Sequence, residues 1–289
     1  MRSNRRLRWT AIPIAAALVV ILAGCTQAQL RGYLPGEPGV TNHTDRVTGL
    51  WVTSWIVLLI VGMITWGLII WAAVAYRRRK GQTGLPVQLR YNLPIEIFYT
   101  IVPLILVLGF FAFTAKDQAA IEAKTPNPDV TVEVFGKRWA WDFNYLNEGP
   151  GKTGVYSEGV QAQELDTAAT IDYAKLPVLY LPVGKSVKVD IQARDVAHSF
   201  WIVDFLYKKD MIPGKINHEY FTPLKEGTYA GKCAELCGQY HSLMLFQVKV
   251  VSQVEYDAQM NALAAAGNTG LIGADYNGKL NESTRETGK

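Results

Sequence analysis

Two long uncharged runs stand out in the distribution of polar and apolar positions along this chain. The first, Val47 to Tyr76, exceeds the roughly 20 residues that a helix needs to cross a bilayer. It carries Trp51, Trp55, Trp66 and Trp71 with Gly62 and Gly67, the aromatic anchors and small residues of a membrane helix. It stops at Arg77-Arg78-Arg79-Lys80, a cytoplasmic signal, and a second run, Ile97 to Ala115, leads back to Lys116-Asp117. The pattern predicts a transmembrane hairpin within residues 47–116, with spans at about 50–76 and 94–116 and both ends outside. From Asp129 the period drops to two. Val130, Val132 and Val134 alternate with Thr131, Glu133 and Phe135, and Val187, Val189 and Ile191 alternate with Lys188, Asp190 and Gln192. Turn signals at Pro182-Val183-Gly184 and Ile212-Pro213-Gly214 punctuate further strands. Residues 117–252 therefore read as an all-β Greek-key sandwich. The stretch 147–172 is longer than a hairpin needs and reads as an insertion. Residues 253–289 read as a short helix and a polar tail.

Charge refines this division. Residues 1–24 hold four arginines and no acid, then an apolar core and the tetrad Leu22-Ala23-Gly24-Cys25. That order resembles a bacterial lipoprotein signal, cleaved before Cys25 and acylated on its thiol, with residues 25–46 as an extracytoplasmic linker. An ordinary transmembrane start with an incidental cysteine is the other reading. From Lys116 onward there are 18 basic and 22 acidic residues, so the outer domain is net negative although the whole chain is +4. The basic balance is thus no sign of nucleic acid. An acidic domain outside the membrane suits a positively charged partner.

Candidate chemistry concentrates in KCAELCGQYHSLM. Cys233 and Cys237 are followed by His241 and Met244, and DVAHSF supplies His198 at a distance. Thiolate, thioether and imidazole together suit copper, and two thiols among so few ligands could bridge a pair of metal ions. This points to a binuclear copper site for electron transfer. A Cys233–Cys237 disulfide, a Cys2His2 zinc site and a copper-delivery role are the competing readings.

The same string resembles the copper loop of cytochrome c oxidase subunit II, C-x-E-x-C-x3-H-x2-M with DVxHS upstream. Cys233, Glu235, Cys237, His241, Met244, Asp195 and His198 fill every position, and the likeness runs from about Trp51 to Tyr256. It implies a cupredoxin-like domain outside a bacterial cell membrane. The copper A ligands would be His198, Cys233, Cys237, His241, Met244 and the Glu235 carbonyl. The Glu235 carboxylate would hold a Mg2+ shared with subunit I. Trp139, in KRWAWDFNY, would admit electrons from cytochrome c or a tethered cytochrome c domain. Trp141 and Tyr145 belong to the same motif, and alternation places Trp139 and Trp141 on one face. Asp195 would be a donor-docking or loop-bracing acid, whereas Asn144 departs from the acid common in the family. Glu96, seven residues before Pro103, would stand at the mouth of a proton path into subunit I. Haem and oxygen reduction to water, coupled to proton translocation, would belong to subunit I and other oxidase subunits. A quinol oxidase subunit II lacks these ligands, and four histidines cannot also build the second copper cluster of a nitrous oxide reductase. His43 and His218 fall outside the pattern and read as surface residues.

The lipoprotein reading has a direct test. Mass spectrometry of the mature N-terminus is expected to show cleavage before a lipid-modified Cys25, and Cys25→Ser to leave the signal uncleaved. A free, unmodified Cys25 thiol would rule it out.

Overall fold

A computed structural model describes residues 24, 26–85, 88–167 and 170–273; Cys25 and the tail beyond Gly273 lie outside the described residues. The first apolar run forms one helix, Thr44–Ala75, and the second forms Leu93–Ile121. Both are long and apolar enough to span a membrane. The start of the first helix and the end of the second continue beyond the uncharged runs, because the polar positions there find partners: Arg46 pairs with Asp117 at 2.7 Å. At the start of the second helix, the Asn92 side chain accepts from the backbone N–H of Ile95. The Glu96 carboxylate accepts from the backbone N–H of Asn92 at 2.9 Å. Glu96 therefore caps the helix, a local role that its spacing from Pro103 does not announce.

Twelve strands follow: β1 (Val130–Lys137), β2 (Ala140–Leu146), β3 (Val155–Ser157), β4 (Asp166–Thr167), β5 (Thr170–Ile171), β6 (Val178–Pro182), β7 (Val187–Ala193), β8 (His198–Ile202), β9 (Tyr207–Met211), β10 (Asn217–Phe221), β11 (Gly227–Cys233) and β12 (Leu245–Val251). One sheet has the order β10-β7-β1-β2-β3 and the other β6-β12-β11-β8-β9, while β4 and β5 form a small ribbon. Within the sheets β1 runs parallel to β7 and β12 to β6; the other pairings are antiparallel. The register lines up Val132 with Val189 and Tyr145, and Val134 with Ile191 and Phe143, so one inward row fills the space between the sheets. Phe200, Phe246, Trp141 and Phe143 complete that core, with Phe200 and Phe246 stacked at 5.0 Å. Helix Gln253–Ala265 adds Tyr256 and Met260 to it.

Three features depart from the sequence pattern. Phe135 and Asp190, placed by alternation on the polar side, are buried. The Arg194 guanidinium lies 4.0 Å over the Phe135 ring, and Asp190 is held by Lys188 and His218. The 147–172 stretch is not simply a loop laid over the sheet, since β3 pairs with β2 and belongs to the sandwich. The linker before the first helix is likewise woven in: Asn42 N–H donates to Thr222 O, Leu224 N–H donates to Val40 O, and Val40 is buried in the core.

Beside this junction, Thr41, His43, Phe205, Tyr207 and Glu219 line a small pocket. Burial lowers the half-buried His43, which meets the carbonyl of Tyr220 at 3.0 Å. Glu219 is buried, and its Oε1 meets no hydrogen-bonding partner. Burial pushes its carboxyl from 4.5 up to about 8, with Lys209 opposing and Glu122 reinforcing the rise. An acid that binds its proton more tightly folded than unfolded makes the fold less stable as pH climbs between those two values. Glu219→Gln is therefore expected to raise the melting temperature of the full chain in detergent at pH 8.5, with little change at pH 4.5. Equal shifts at both pH values would show that Glu219 is not protonated in the fold.

Candidate metal centre

His198 opens β8 and Cys233 closes β11, two antiparallel neighbours in which Cys233 pairs with Phe200. Their side chains thus meet at the same end of the sandwich. The chain then leaves the sheet, because a regular strand would send successive side chains to opposite faces. It passes Cys237 and Gly238, makes a single tight turn at His241–Leu243, and returns into β12 directly after Met244. The backbone N–H of Cys233 donates to Met244 O at 3.0 Å, closing the loop on itself.

Six potential donors converge inside this loop. Cys233 Sγ lies 3.9 Å from Cys237 Sγ, 3.8 Å from His198 Nδ1 and 3.2 Å from the Glu235 carbonyl oxygen. Cys237 Sγ lies 3.6 Å from His241 Nδ1 and 3.8 Å from Met244 Sδ. Both cysteines are unbonded and buried, and so are His198 and Met244. Burial opposes ionisation of both thiols. At Cys233 the hydrogen bonds involving His198 and the Glu235 and Ser199 backbone outweigh it and bring the thiol below its usual range. At Cys237 burial and the neighbouring Cys233 push the thiol up. Two thiolates this close cannot both form without a cation to offset their charge. The donor set fits a soft metal, and Glu235, whose carbonyl faces Cys233, is an exposed residue.

Asp195 turns inward. Its Oδ1 lies 2.9 Å from His198 Nε2 and also accepts from the Val196 N–H, while Oδ2 accepts from the Arg138 N–H at 2.7 Å. Although burial works against the carboxylate, these bonds hold Asp195 down to about 2. The carboxylate fixes the ring so that Nδ1 faces Cys233, the outer-shell support that metal-binding imidazoles require. Trp139 is half-buried in the turn between β1 and β2 and donates its indole N–H to Cys237 O at 3.2 Å. Trp141 is fully buried in β2 and donates to Met244 O at 3.2 Å. Both tryptophans reach the ligand loop, one from the turn and one from the core. Tyr145 instead accepts a hydrogen bond from the Tyr180 backbone N–H at the far end of β2, where Asn144 is buried and bonded to Ile272. His43 and Glu96 lie apart from the cluster, and His218 is engaged with Asp190.

Two glycines are essential to this geometry. A Cβ on Gly136 would lie 3.1 Å from the His198 ring, and one on Gly231 only 2.2 Å from the Phe246 ring. A glycine inside a strand pattern signals such close approach, so VFGKRW and YAGKC carried that information.

The family model for the periplasmic domain of cytochrome c oxidase subunit II matches residues 130–251. A probable cytochrome c oxidase subunit 2 from Streptomyces avermitilis is 41% identical, over 95% of this chain and 92% of its own. The chain belongs to the cytochrome c oxidase subunit II family. The cytochrome c oxidase subunit 2 of Mycobacterium bovis is 30% identical over 89% of this chain and 82% of its own. The solved periplasmic domain of subunit II from Bradyrhizobium japonicum is 28% identical, with a TM-score of 0.42 over 50% of this chain and 99% of that one. As a member of the subunit II family, the chain is a cytochrome c oxidase subunit with two apolar helices able to span a membrane and a periplasmic-type β-sandwich.

The bracing role of Asp195 gives a measurable consequence. Asp195→Ala is expected to weaken metal retention by about 10- to 100-fold, the usual effect of losing an outer-shell partner. Chelator competition on the metal-loaded full chain measures it; unchanged affinity would mean that strand geometry alone orients His198.

Proposed function

We propose that the loop holds a binuclear copper A centre and that this chain is the electron-accepting subunit of a cytochrome c oxidase. The observation that carries the proposal is the convergence of two unbonded thiols, two imidazoles and a thioether within about 4 Å of their nearest neighbours. Cys233, Cys237, His198 and His241 would hold the copper pair, with Met244 and the Glu235 carbonyl as the weaker donors. Once bound, the copper pair would supply fast one-electron exchange with little change in bond length.

The rest of the work falls to side chains. The sheet ends, the Met244 carbonyl clamp and the Asp195 brace fix the donors before metal arrives, so little rearrangement is needed. The apolar wall of Trp141, Phe200 and Phe246 excludes water from the inner side. On the outer side, the half-exposed Trp139 ring meets Tyr240 edge-on at 5.0 Å and touches the loop through its indole N–H. It is the natural path for an electron from cytochrome c or a tethered cytochrome c domain. Electrons would pass on to haem in subunit I, where oxygen is reduced to water with proton translocation. The carboxylate of Glu235, an exposed residue, would share a Mg2+ with subunit I. Glu96 would serve a proton path into that subunit from its helix-capping position, and the acidic outer domain, with Asp195 near its rim, would guide the donor. Lipid on Cys25 would add a third attachment to the bacterial membrane.

Loading the chain with copper is expected to give two ions per chain and a delocalised mixed-valence paramagnetic signal. Cys233→Ser or Cys237→Ser is expected to abolish that signal, because each removes a thiolate that would hold the pair, whereas Met244→Leu keeps the metal and shifts its potential. Binding of a single zinc ion, or a Cys233–Cys237 disulfide in active protein, would sink the reading.

A further inference from the structure

The backbone of Trp139 lies in a turn, where no strand neighbour satisfies it. The segment Gly159–Ala162, just after β3, does so instead. Gln161 Oε1 accepts the Trp139 N–H at 3.0 Å, and the Ala162 N–H donates to Trp139 O at 2.9 Å. A third attachment holds the segment in place. The Gly159 N–H donates to Asp142 Oδ1 at 3.0 Å, and a Cβ on Gly159 would lie 2.0 Å from Trp141 O, so only glycine lets these two backbones meet. The helical turn that follows, Ala162–Leu165, rests against the His241–Leu243 turn of the ligand loop. The stretch that reads as an insertion in the sequence thus touches both the metal loop and the residue at its outer rim.

Of the groups gripping Trp139 among the described residues, only Gln161 does so with a side chain from outside the loop and its turn. We propose that Gln161 is a positioning residue for electron transfer, holding the Trp139 peptide so that the indole stays seated against Cys237 O. This rests on the reading that electrons enter through Trp139. The physical reason is that a half-exposed ring on an unsatisfied turn samples other placements, and small misplacements at a reacting pair cost much rate.

The test uses the assembled oxidase, stopped-flow reduction of its copper by soluble cytochrome c, and hydrogen exchange of the peptide spanning residues 138–141. Gln161→Leu is expected to slow reduction by the donor by about five- to tenfold, the scale set by one lost hydrogen bond. It should speed exchange of the Trp139 amide while the copper spectrum and copper-to-haem transfer stay as in the parent. Gln161→Glu, which keeps the acceptor oxygen, restores both readouts. Should leucine block assembly, Gln161→Asn, one methylene too short to reach, takes its place with the same expectation. If Trp139→Phe slows donor reduction but the Gln161 variants do not, the positioning role is wrong. If Trp139→Phe leaves the rate unchanged, the Trp139 route itself fails and Gln161 loses this role with it.

Discussion

Two sulfur atoms 3.9 Å apart, both withdrawn from water, set the terms for the rest of this domain. Free thiols so placed resist joint ionisation, and an oxidised pair would be removed from metal chemistry altogether. The fold must hold them close without bonding and leave room for positive charge between them and the imidazoles. It does so by ending β11 at Cys233 and closing the loop through the Met244 carbonyl. That carbonyl takes both the Cys233 amide and the Trp141 indole hydrogen. One acceptor therefore ties the loop's start, its finish and the core behind it.

Support for the site comes from backbone as much as from side chains. The missing Cβ at Gly136 gives the His198 ring its place, and the missing Cβ at Gly231 lets Phe246 lie over β11 one turn of pleat before the first thiol. Asp195 then links two neighbourhoods through its two oxygens, orienting the His198 imidazole with one and the Arg138–Trp139 turn with the other. His198 and the turn that carries Trp139 are thus set by the same carboxylate.

Much of this was legible in the sequence because it is local. The spacing of Cys233, Cys237, His241 and Met244 states the donor set outright, and uncharged runs and period-two alternation give helices and strands their places. What escaped depends on contacts distant in sequence. Phe135 and Asp190 read as polar-side positions because alternation knows only one sheet, whereas Arg194 and His218 cover them from neighbouring segments. The capping bond of Glu96 was hidden behind a suggestive spacing from Pro103. Gln161 carries no motif; its meaning appears only when β3 brings it beside a turn more than twenty residues earlier.

The pairing of Val40 and Asn42 with residues 222–224 bears on how the outer domain can be handled apart from the membrane. A soluble fragment begun after the second helix would omit this stretch. It would leave a hole where Val40 fills the core and bare the backbone groups of the segment after β10. Unpaired sheet edges invite association with other chains. A well-behaved fragment would need residues 35–43 grafted or supplied as a peptide, which makes the short link before the first helix a component of the domain and more than a tether.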